Sequence, residues 1–319
     1  MESSIKWIIF IHGISTNGNL HGKALSTAIQ NSTEKSDWNV FFSKASTSYI
    51  SSYLSLIYTM QGVVCISESI LAELDEFFQH KPPITHITII GASFGGLVAR
   101  YIAEKMCRLG KWDNVVFESL ILLASPNLGV RDLYSGPVPL WILSATSSGN
   151  ELLWQDESNW LEVLGTRPSY LAAYARFRKR MIYAPVWDDG ICSYESTSLL
   201  GSPPPPLPPL VNTSPLVLRE RHLTAADAVA VPSFLQHTGI DTTQVEETAG
   251  AIDAHVQRVS KVMLSMLACH WTLFDVNTDH KVLATLHGAP PASSADVAAT
   301  LAAKIAASAE ISCHIVSML

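Results

Sequence analysis

Residues 87–104 read ITIIGASFGGLVARYIAE, and this stretch decides the fold. Its first four residues are β-branched and predict a buried strand, while the apolar residues after the glycines recur at helical spacing. Between the two lies the pattern Gly91-x-Ser93-x-Gly95, where larger side chains would block a sharp strand-to-helix turn. The pattern predicts that the Ser93 hydroxyl is presented at this turn as a nucleophile. The alternative is a glycine-rich turn that only packs a helix closely against a strand.

The composition excludes some classes of partner. Of the 319 residues, 48% are hydrophobic and 15% are charged, which fits a protein that meets apolar ligands. The net charge of -7 and the pI near 5.9 argue against nucleic acid as a partner, because phosphate binding needs a basic face.

The cysteines and the apolar runs bear on compartment and cofactors. The cysteines are scattered without C-x-x-C spacing, so the sequence predicts neither a disulfide framework nor a zinc site. No cofactor is expected. We therefore expect a reducing, cytoplasmic compartment. No signal peptide is expected, and no apolar run reaches the ~18–20 residues that cross a bilayer. Any contact with membranes or lipid droplets is expected to be peripheral.

Strand and helix patterns alternate along the chain. Apolar runs predict strands at residues 5–11, 40–42, 87–90, 115–124, 181–186 and 271–276, with a further possible strand at 282–286. Besides the helix that follows the glycines, amphipathic patterns predict helices at residues 20–30, 62–78, 170–180, 251–267 and 296–307. The alternation predicts a single α/β domain over 1–319, with a mostly parallel sheet and helices on both faces.

Two segments depart from the alternation. Residues 127–164 set Trp141, Trp154 and Trp160 among glycine, serine and acidic residues, which indicates either a cap over the site or an excursion packed on the core. If the segment is a cap, it would supply an apolar wall for an acyl chain. Residues 200–268 are interpreted as an insertion that contains a proline-rich loop at 203–209 and a helix.

A His-Gly turn follows the first predicted strand. His12-Gly13-Ile14 stands where an α/β-hydrolase provides a backbone N–H to its oxyanion hole, and the residue after the nucleophile provides the second. The predicted donors are Ile14 and Phe94. The alternative is a plain glycine turn beside a surface histidine.

A serine hydroxyl becomes a good nucleophile when a base accepts its proton and a carboxylate orients that base. Asp188 and Asp189 follow one predicted strand, and His280 follows the last one. The resulting chain order of serine, aspartate and histidine is that of the α/β-hydrolases. The predicted base is His280.

Two other histidines lie next to the last two predicted strands. His287 follows the possible strand at 282–286 and is the reserve candidate. His270 precedes its strand and is therefore predicted to lie at the opposite end of the sheet from the nucleophile.

The sequence resembles the eukaryotic putative serine esterase family, a lipase-like branch of the α/β-hydrolases. The resemblance covers residues 8–13, 91–103, 122–129, 177–199 and 277–286. Its most specific part is RMIYAPVWDDG at 180–190, which is similar to a family segment that leads to asparagine-aspartate-glycine. The resemblance implies that Asp189 is the triad acid and that Asp188 occupies the asparagine position.

Some positions differ from the family pattern. Ala92 and Phe94 replace histidine and leucine on either side of the nucleophile, and Asn127 replaces a histidine in the segment SPNLG. The residues and the resemblance together predict a metal-independent hydrolase of carboxylic esters, such as acylglycerols or (lyso)phospholipids. The alternatives are a thioesterase or protein deacylase with the same triad, and a catalytically silent protein that binds lipid or a partner.

Overall fold

The computed structural model describes residues 5–13, 38–43, 60–131, 140–187, 191–204, 217–228 and 248–279. The strands in these residues are β1 (Lys6–Ile11), β2 (Trp38–Phe42), β3 (His86–Ala92), β4 (Val116–Leu123), β5 (Lys179–Trp187), β6 (Val217–Leu223) and β7 (Trp271–Asp279). They form one sheet in the order β2-β1-β3-β4-β5-β7-β6. Neighbouring strands are parallel except β6 and β7, which are antiparallel.

The strand order reverses between β1 and β3. From β1 the chain passes to β2 on one side and then returns to β3 on the other side. β1 and β3 pair as far as Ile11 and Gly91, so the segments that follow these two strands leave the sheet side by side. In open parallel sheets a reversal of this kind leaves a crevice outside the carboxyl ends of the strands, where ligands bind.

The helices pack on the sheet around one central helix. They are α1 (Val63–Gln79), α2 (Gly95–Arg108), α3 (Leu140–Leu143), α4 (Ser147–Leu152), α5 (Trp160–Thr166), α6 (Pro168–Arg176), α7 (Tyr194–Ser198) and α8 (Thr248–Leu267), with 3₁₀ turns at Gly110–Trp112 and Ala225–Asp227. α2 packs between α1 and α6, and α5 packs against α8. None of the helices in the described ranges combines the length and apolar character needed to cross a bilayer.

Both faces of the sheet are buried, as the continuous apolar runs of its strands predict. In β1, Trp7, Ile9 and Ile11 belong to the core cluster that includes side chains of α1 and α2. Ile8 and Phe10 point to the opposite face and are also fully buried. Successive side chains of a strand alternate between faces, so an uninterrupted apolar run requires cover on both.

Most predicted elements are confirmed, including the mostly parallel sheet with helices. The predicted strands at 5–11, 40–42, 87–90, 115–124, 181–186 and 271–276 correspond to β1, β2, β3, β4, β5 and β7, and the predicted helices at 62–78 and 251–267 correspond to α1 and α8. The predicted elements at 20–30, 282–286 and 296–307 and the proline run beyond Pro204 lie outside the described residues.

The prediction of one helix over 170–180 was wrong at its end. α6 ends at Arg176, and β5 begins at Lys179 and pairs with β4. The basic residues were expected to complement the last helical turn. Arg180 still does so from the strand, because its guanidinium donates to the Tyr174 carbonyl of α6 at 3.2 Å. Lys179 and Arg180 therefore belong to a strand that pairs with β4, although their basic side chains indicated the end of a helix.

The strand β6 was not predicted. Its sequence, VLRERHL, lacks the apolar alternation that marks a half-buried strand. β6 lies at the edge of the sheet, and edge strands commonly carry charged side chains. Both β6 and α8 fall within residues 200–268, the segment interpreted as an insertion.

A buried carboxylate from α4 holds the start of α1. Glu151 is 5% exposed, and its two carboxylate oxygens accept the Val63 N–H at 2.9 and 3.0 Å. The Ser148 hydroxyl accepts the neighbouring Gly62 N–H at 3.0 Å. These contacts satisfy amides at the start of a helix that have no partner within it. Burial raises the pKa of Glu151 to about 7.

We expect the stability of the protein to depend on pH through Glu151. Folding raises the pKa of Glu151 from 4.5 to about 7, so the folded state binds this proton more tightly. The stabilisation is complete below the unfolded value and is lost as the pH rises through about 7. At about 1.4 kcal/mol per pKa unit, the free energy of unfolding should fall by on the order of 3 kcal/mol across this window. Urea unfolding at a series of pH values measures the loss.

Glu151→Gln should flatten this pH dependence, because the amide keeps an acceptor oxygen and does not titrate. Glu157→Gln is the matched control, because Glu157 is an exposed residue of the same segment. The free energy of unfolding of this variant should depend on pH as it does in the wild type. Parallel pH curves for the wild type and Glu151→Gln would contradict the role of Glu151.

Candidate active site

Ser93 occupies a strained turn between β3 and α2. Its φ angle is 53°, a value that residues other than glycine seldom adopt. The Ser93 N–H donates to the Leu123 carbonyl of β4 at 2.8 Å, and the Ser93 carbonyl accepts from Gly96 N–H at 2.9 Å. The serine is thus fixed on one side by the sheet and on the other by the first turn of α2. A strained residue held in this way indicates a functional constraint.

The glycines on either side of Ser93 are required by close packing. A Cβ atom at Gly91 would lie 2.4 Å from the Gly95 carbonyl oxygen. A Cβ atom at Gly95 would lie 2.4 Å from the carbonyl oxygen of Ile11 and 2.6 Å from that of His12. All three contacts are to backbone atoms, which cannot move aside as a flexible side chain can. The G-x-S-x-G pattern therefore allows α2 to begin directly against β3 and the end of β1.

Gly95→Ala is expected to destabilise the protein by about 1–3 kcal/mol, the usual range for overpacking in a rigid site. The variant should also slow any reaction at the Ser93 hydroxyl, because the added methyl group would push the Ser93 turn away from Ile11 and His12 at the end of β1. Gly110→Ala is the matched control, since its Cβ would first meet a flexible carboxylate of Asp113 at 3.1 Å. Thermal unfolding of both variants gives the comparison. Equal melting temperatures would contradict the packing argument.

The His12-Gly13 turn lies directly beside Ser93. A Cβ atom at Gly13 would lie 2.7 Å from Ser93 Cβ and 3.1 Å from Ser93 Oγ. His12 is buried, and desolvation lowers its pKa, which favours the neutral form of the ring. Its Nδ1 donates to the Gly13 carbonyl at 2.9 Å. The structure therefore brings together two motifs that lie far apart in the sequence.

The predicted oxyanion donors can be described only in part. Phe94 precedes α2 directly and is 2% exposed. Its N–H belongs to the amides at the start of a helix that have no acceptor within the helix. Ile14, the second predicted donor, follows Gly13 and lies outside the described residues.

The predicted acid and base also lie outside the described residues, as do the neighbouring Asp188 and the reserve candidate His287. Asp189 follows β5 and His280 follows β7. The last residues of these strands, Trp187 and Asp279, are register partners in adjacent parallel strands. Both strands end at the carboxyl edge of the sheet, where β3 ends before Ser93. His270 precedes β7 and lies at the opposite edge, as predicted.

A sequence model of the family described as "Putative serine esterase (DUF676)" matches residues 1–200. The chain belongs to this family. The match includes Ser93 and the segment that contains Asp189, and it ends before His280. No curated protein matches this sequence significantly.

Several solved structures are similar at low identity. Lipase B of Aspergillus fumigatus matches 59% of this chain at 13% identity with a TM-score of 0.40, and the match spans 39% of the lipase. Est1E of Butyrivibrio proteoclasticus, bound to ferulic acid, matches 59% of this chain and 72% of its own at 16% identity and a TM-score of 0.37. The Arabidopsis methylesterase MES16 matches 58% of this chain and 80% of its own at 13% identity and a TM-score of 0.31.

The family and the sheet identify the fold. The mostly parallel sheet carries the G-x-S-x-G turn between β3 and the central helix α2, which is the arrangement of the α/β-hydrolase fold. The family supports an ester hydrolase as the enzyme class. No group of three or more metal-ligating side chains occurs in the described part of the chain.

The tryptophans of residues 127–164 have different surroundings. Trp154 is 6% exposed, donates from Nε1 to the Leu128 carbonyl at 2.9 Å and packs edge-on against His255 of α8. Trp160 packs against Tyr101 of α2. Trp141 is 73% exposed. Trp154 and Trp160 therefore contribute to core packing, and Trp141 is the tryptophan of this segment that remains available for an apolar ligand.

Sequence reasoning missed a buried polar cluster on β7. Asp275 lies in the middle of the apolar strand β7 and is fully buried. Its partners are Tyr194 of α7 and Arg221 of β6. An acidic residue inside an otherwise apolar run is the signal that could have drawn attention to it, because a buried carboxylate requires partners.

Proposed function

We propose that this chain is a serine-dependent hydrolase of carboxylic esters with Ser93 as its nucleophile. The observation that carries the proposal is the left-handed backbone of Ser93, held at the carboxyl edge with Gly13 beside its hydroxyl. A turn of this shape presents a hydroxyl to the crevice and places the start of a helix behind it. Family membership supports the same reaction class.

In the proposed mechanism, Ser93 Oγ attacks the ester carbonyl carbon while His280 accepts the hydroxyl proton. The carbonyl π electrons move to the oxygen, and the backbone N–H groups of Ile14 and Phe94 stabilise the resulting oxyanion. When the tetrahedral intermediate collapses, His280 returns the proton to the departing alcohol. Water then attacks the acyl-enzyme by the same sequence and releases the acid.

Asp189 is proposed to orient the His280 imidazole and to stabilise its protonated form. The pairing of Trp187 with Asp279 supports this assignment. Asp189 and His280 follow these two residues closely, so they come after neighbouring strands at the same edge of the sheet. The resemblance of residues 180–190 to the family segment supports Asp189 over Asp188.

Labelling with a fluorophosphonate tests the proposal. Such probes phosphonylate a serine readily only where its hydroxyl is activated, so the wild type should label and Ser93→Ala should not. A wild-type protein that is folded but does not label would contradict the proposal. It would favour the catalytically silent alternative, a hydrolase fold that binds a lipid or a partner.

We propose acylglycerols or (lyso)phospholipids as substrates, bound at a peripheral contact with a lipid surface or droplet in the cytoplasm. The exposed indole of Trp141 and the low charge content of the chain support an apolar acyl group. A panel of p-nitrophenyl esters of increasing chain length, acyl-CoAs and acylglycerols separates this proposal from a thioesterase. Preference for acyl-CoAs over esters of the same chain would contradict it.

A further inference from the structure

A buried polar network joins α7, β6 and β7. The Tyr194 hydroxyl donates to Asp275 Oδ1 at 2.7 Å. Nη2 of Arg221 donates to both oxygens of the same carboxylate, at 3.0 and 3.3 Å, and also contacts the Tyr194 hydroxyl. Arg219 adds a longer ion pair of 3.8 Å. We call these four residues the Asp275 network. Its contacts compensate for burying the Asp275 carboxylate, which is 0% exposed.

The network lies at the same level of the sheet as the nucleophile. The register aligns, from β3 across to β7, Ala92, Leu123, Tyr183 and Phe274. Ser93 directly follows Ala92, and Asp275 directly follows Phe274. The network therefore lies level with Ser93 and four residues before β7 ends at Asp279, on the side of the sheet where β5 and β7 lead toward Asp189 and His280.

α7 is also attached to the loop that follows β4. The Ser196 hydroxyl donates to the Gly129 carbonyl at 2.6 Å and accepts from Leu128 N–H at 3.1 Å. The Asn127 side-chain amide donates to the Thr197 carbonyl at 2.8 Å. This short helix is thus held by the loop after β4 on one side and by Asp275 on the other.

The loop after β4 also touches the helix that follows the nucleophile. A Cβ atom at Gly96, in the first turn of α2, would lie 2.2 Å from Ser125 Oγ. Packed contacts and hydrogen bonds therefore connect α2 with the loop after β4, that loop with α7, and α7 with β7. Of these elements, α2 begins shortly after Ser93 and β7 ends directly before His280.

We infer that the Asp275 network positions the proposed acid and base relative to each other. Tyr194 fixes α7, which begins shortly after Asp189, and Asp275 belongs to the strand that ends directly before His280. The inference rests on the proposed function and adds residues to it. Arg221 and Asp275 lie beyond residues 1–200, the part that the family model matches. Tyr194 and Asp275 are buried and act through Asp189 and His280, so they are positioning residues.

Tyr194→Phe removes the hydroxyl that connects α7 to β7 and leaves the ring in place. With α7 less firmly held, Asp189 should spend less time in the geometry that stabilises the His280 imidazolium. We expect kcat to fall about ten-fold, because misplacement of catalytic groups by about 1 Å can cost about 10²-fold in rate. KM should stay within about two-fold of the wild-type value, because the buried hydroxyl is not part of a substrate contact.

The pH profile separates positioning from a general loss of stability. The acid limb of kcat/KM reports the pKa of the base in the free enzyme. Weaker stabilisation of the imidazolium lowers that pKa, so the acid limb of Tyr194→Phe should move to lower pH by about half a unit. A smaller folded fraction would lower the whole profile and leave the limb in place. The charged groups that contact the Tyr194 hydroxyl are Asp275 and Arg221, and Arg219 lies 3.8 Å from the Asp275 carboxylate.

Tyr174→Phe is the matched control. The Tyr174 hydroxyl is also buried, donates to the Leu164 carbonyl at 2.7 Å and accepts from the guanidinium of Arg100 at 3.2 Å. It belongs to α6, which precedes β5 and therefore lies toward the amino edge of the sheet. Removing this hydroxyl should cost similar stability and leave both kcat and the acid limb as in the wild type.

The experiment measures p-nitrophenyl ester hydrolysis by the full chain against pH for the wild type, Tyr194→Phe and Tyr174→Phe. A lower kcat with a shifted limb in Tyr194→Phe alone supports the inference. Equal profiles for the two variants, or an unmoved limb in Tyr194→Phe, would overturn the inference and leave the proposed function intact. A wild type that neither hydrolyses the esters nor labels with the fluorophosphonate would overturn both.

Should Tyr194→Phe fail to fold, Arg221→Lys provides the second variant. It keeps the positive charge beside Asp275 and loses the fixed geometry of the guanidinium, which here contacts both carboxylate oxygens. The same fall in kcat and the same shift of the limb are expected. An unchanged profile in a folded Arg221→Lys protein would overturn the inference.

Discussion

Replacement of Ser93 by alanine should reduce ester hydrolysis by about 10³-fold or more, because the reaction loses the atom that attacks the carbonyl. The fold should survive, since the Ser93 hydrogen bonds that hold the turn come from its backbone. Purified wild type and variant should therefore give the same circular dichroism spectrum and differ in turnover of a p-nitrophenyl ester. Retained turnover in a folded Ser93→Ala protein would contradict the assignment of the nucleophile.

Ser93→Gly provides a control for the backbone strain. Glycine adopts a positive φ without steric cost, whereas alanine does not. Both variants should be inactive, and Ser93→Gly should be the more stable of the two by up to about 1 kcal/mol. Equal stability would indicate that the φ of 53° carries little strain in this turn.

The second large effect is expected at the proposed acid. Asp189→Asn should lower kcat by on the order of 10³–10⁴-fold, because an amide holds the imidazole in the wrong tautomer and does not stabilise the imidazolium. Asp188→Asn should cost about ten-fold at most, since this position is an asparagine in the family segment that residues 180–190 resemble. Steady-state kinetics of the two purified variants makes the comparison.

Asp188 and Asp189 serve as controls for each other, because both substitutions remove one carboxylate from the same short segment. A larger loss in Asp188→Asn would move the acid by one residue and leave the enzyme class unchanged. Equal small losses would mean that neither carboxylate orients the base, and the triad would then need a different acid.

The position of the site follows from the topology of the sheet. The reversal of strand order between β1 and β3 brings the His12-Gly13 turn beside Ser93. The parallel direction of β5 and β7 carries the chain to the same edge before Asp189 and His280. The Asp275 network connects α7, β6 and β7 on the side of the sheet away from β1. A hydrolase built in this way depends on buried contacts that do not themselves touch the substrate.

The sequence by itself determined the parallel strands, the central helix and the turn at Ser93. Strands β1, β3 and β4 are mostly apolar, and α1 has an apolar stripe at helical spacing, so the local sequence pattern is enough to predict that these elements are buried. The spacing of Gly91, Ser93 and Gly95 predicted the turn because most of the close packing is local. A Cβ atom at Gly91 would meet the Gly95 carbonyl, and a Cβ atom at Gly95 would meet the carbonyl of Ile11 at the end of β1.

Only the tertiary structure decided features that depend on distant partners. The edge strand β6 has no apolar alternation, and its place is set by pairing with β7 and by the contacts of Arg221 with Asp275. Arg180 belongs to a strand although its basic neighbours indicate a helix end, because pairing with β4 outweighs local preference. Trp141 and Trp154 look alike in the sequence, yet one is exposed and the other is in the core. The physical reason is the same in each case: the local pattern reports only local preference, whereas burial and strand pairing depend on contacts between residues that are distant in the sequence.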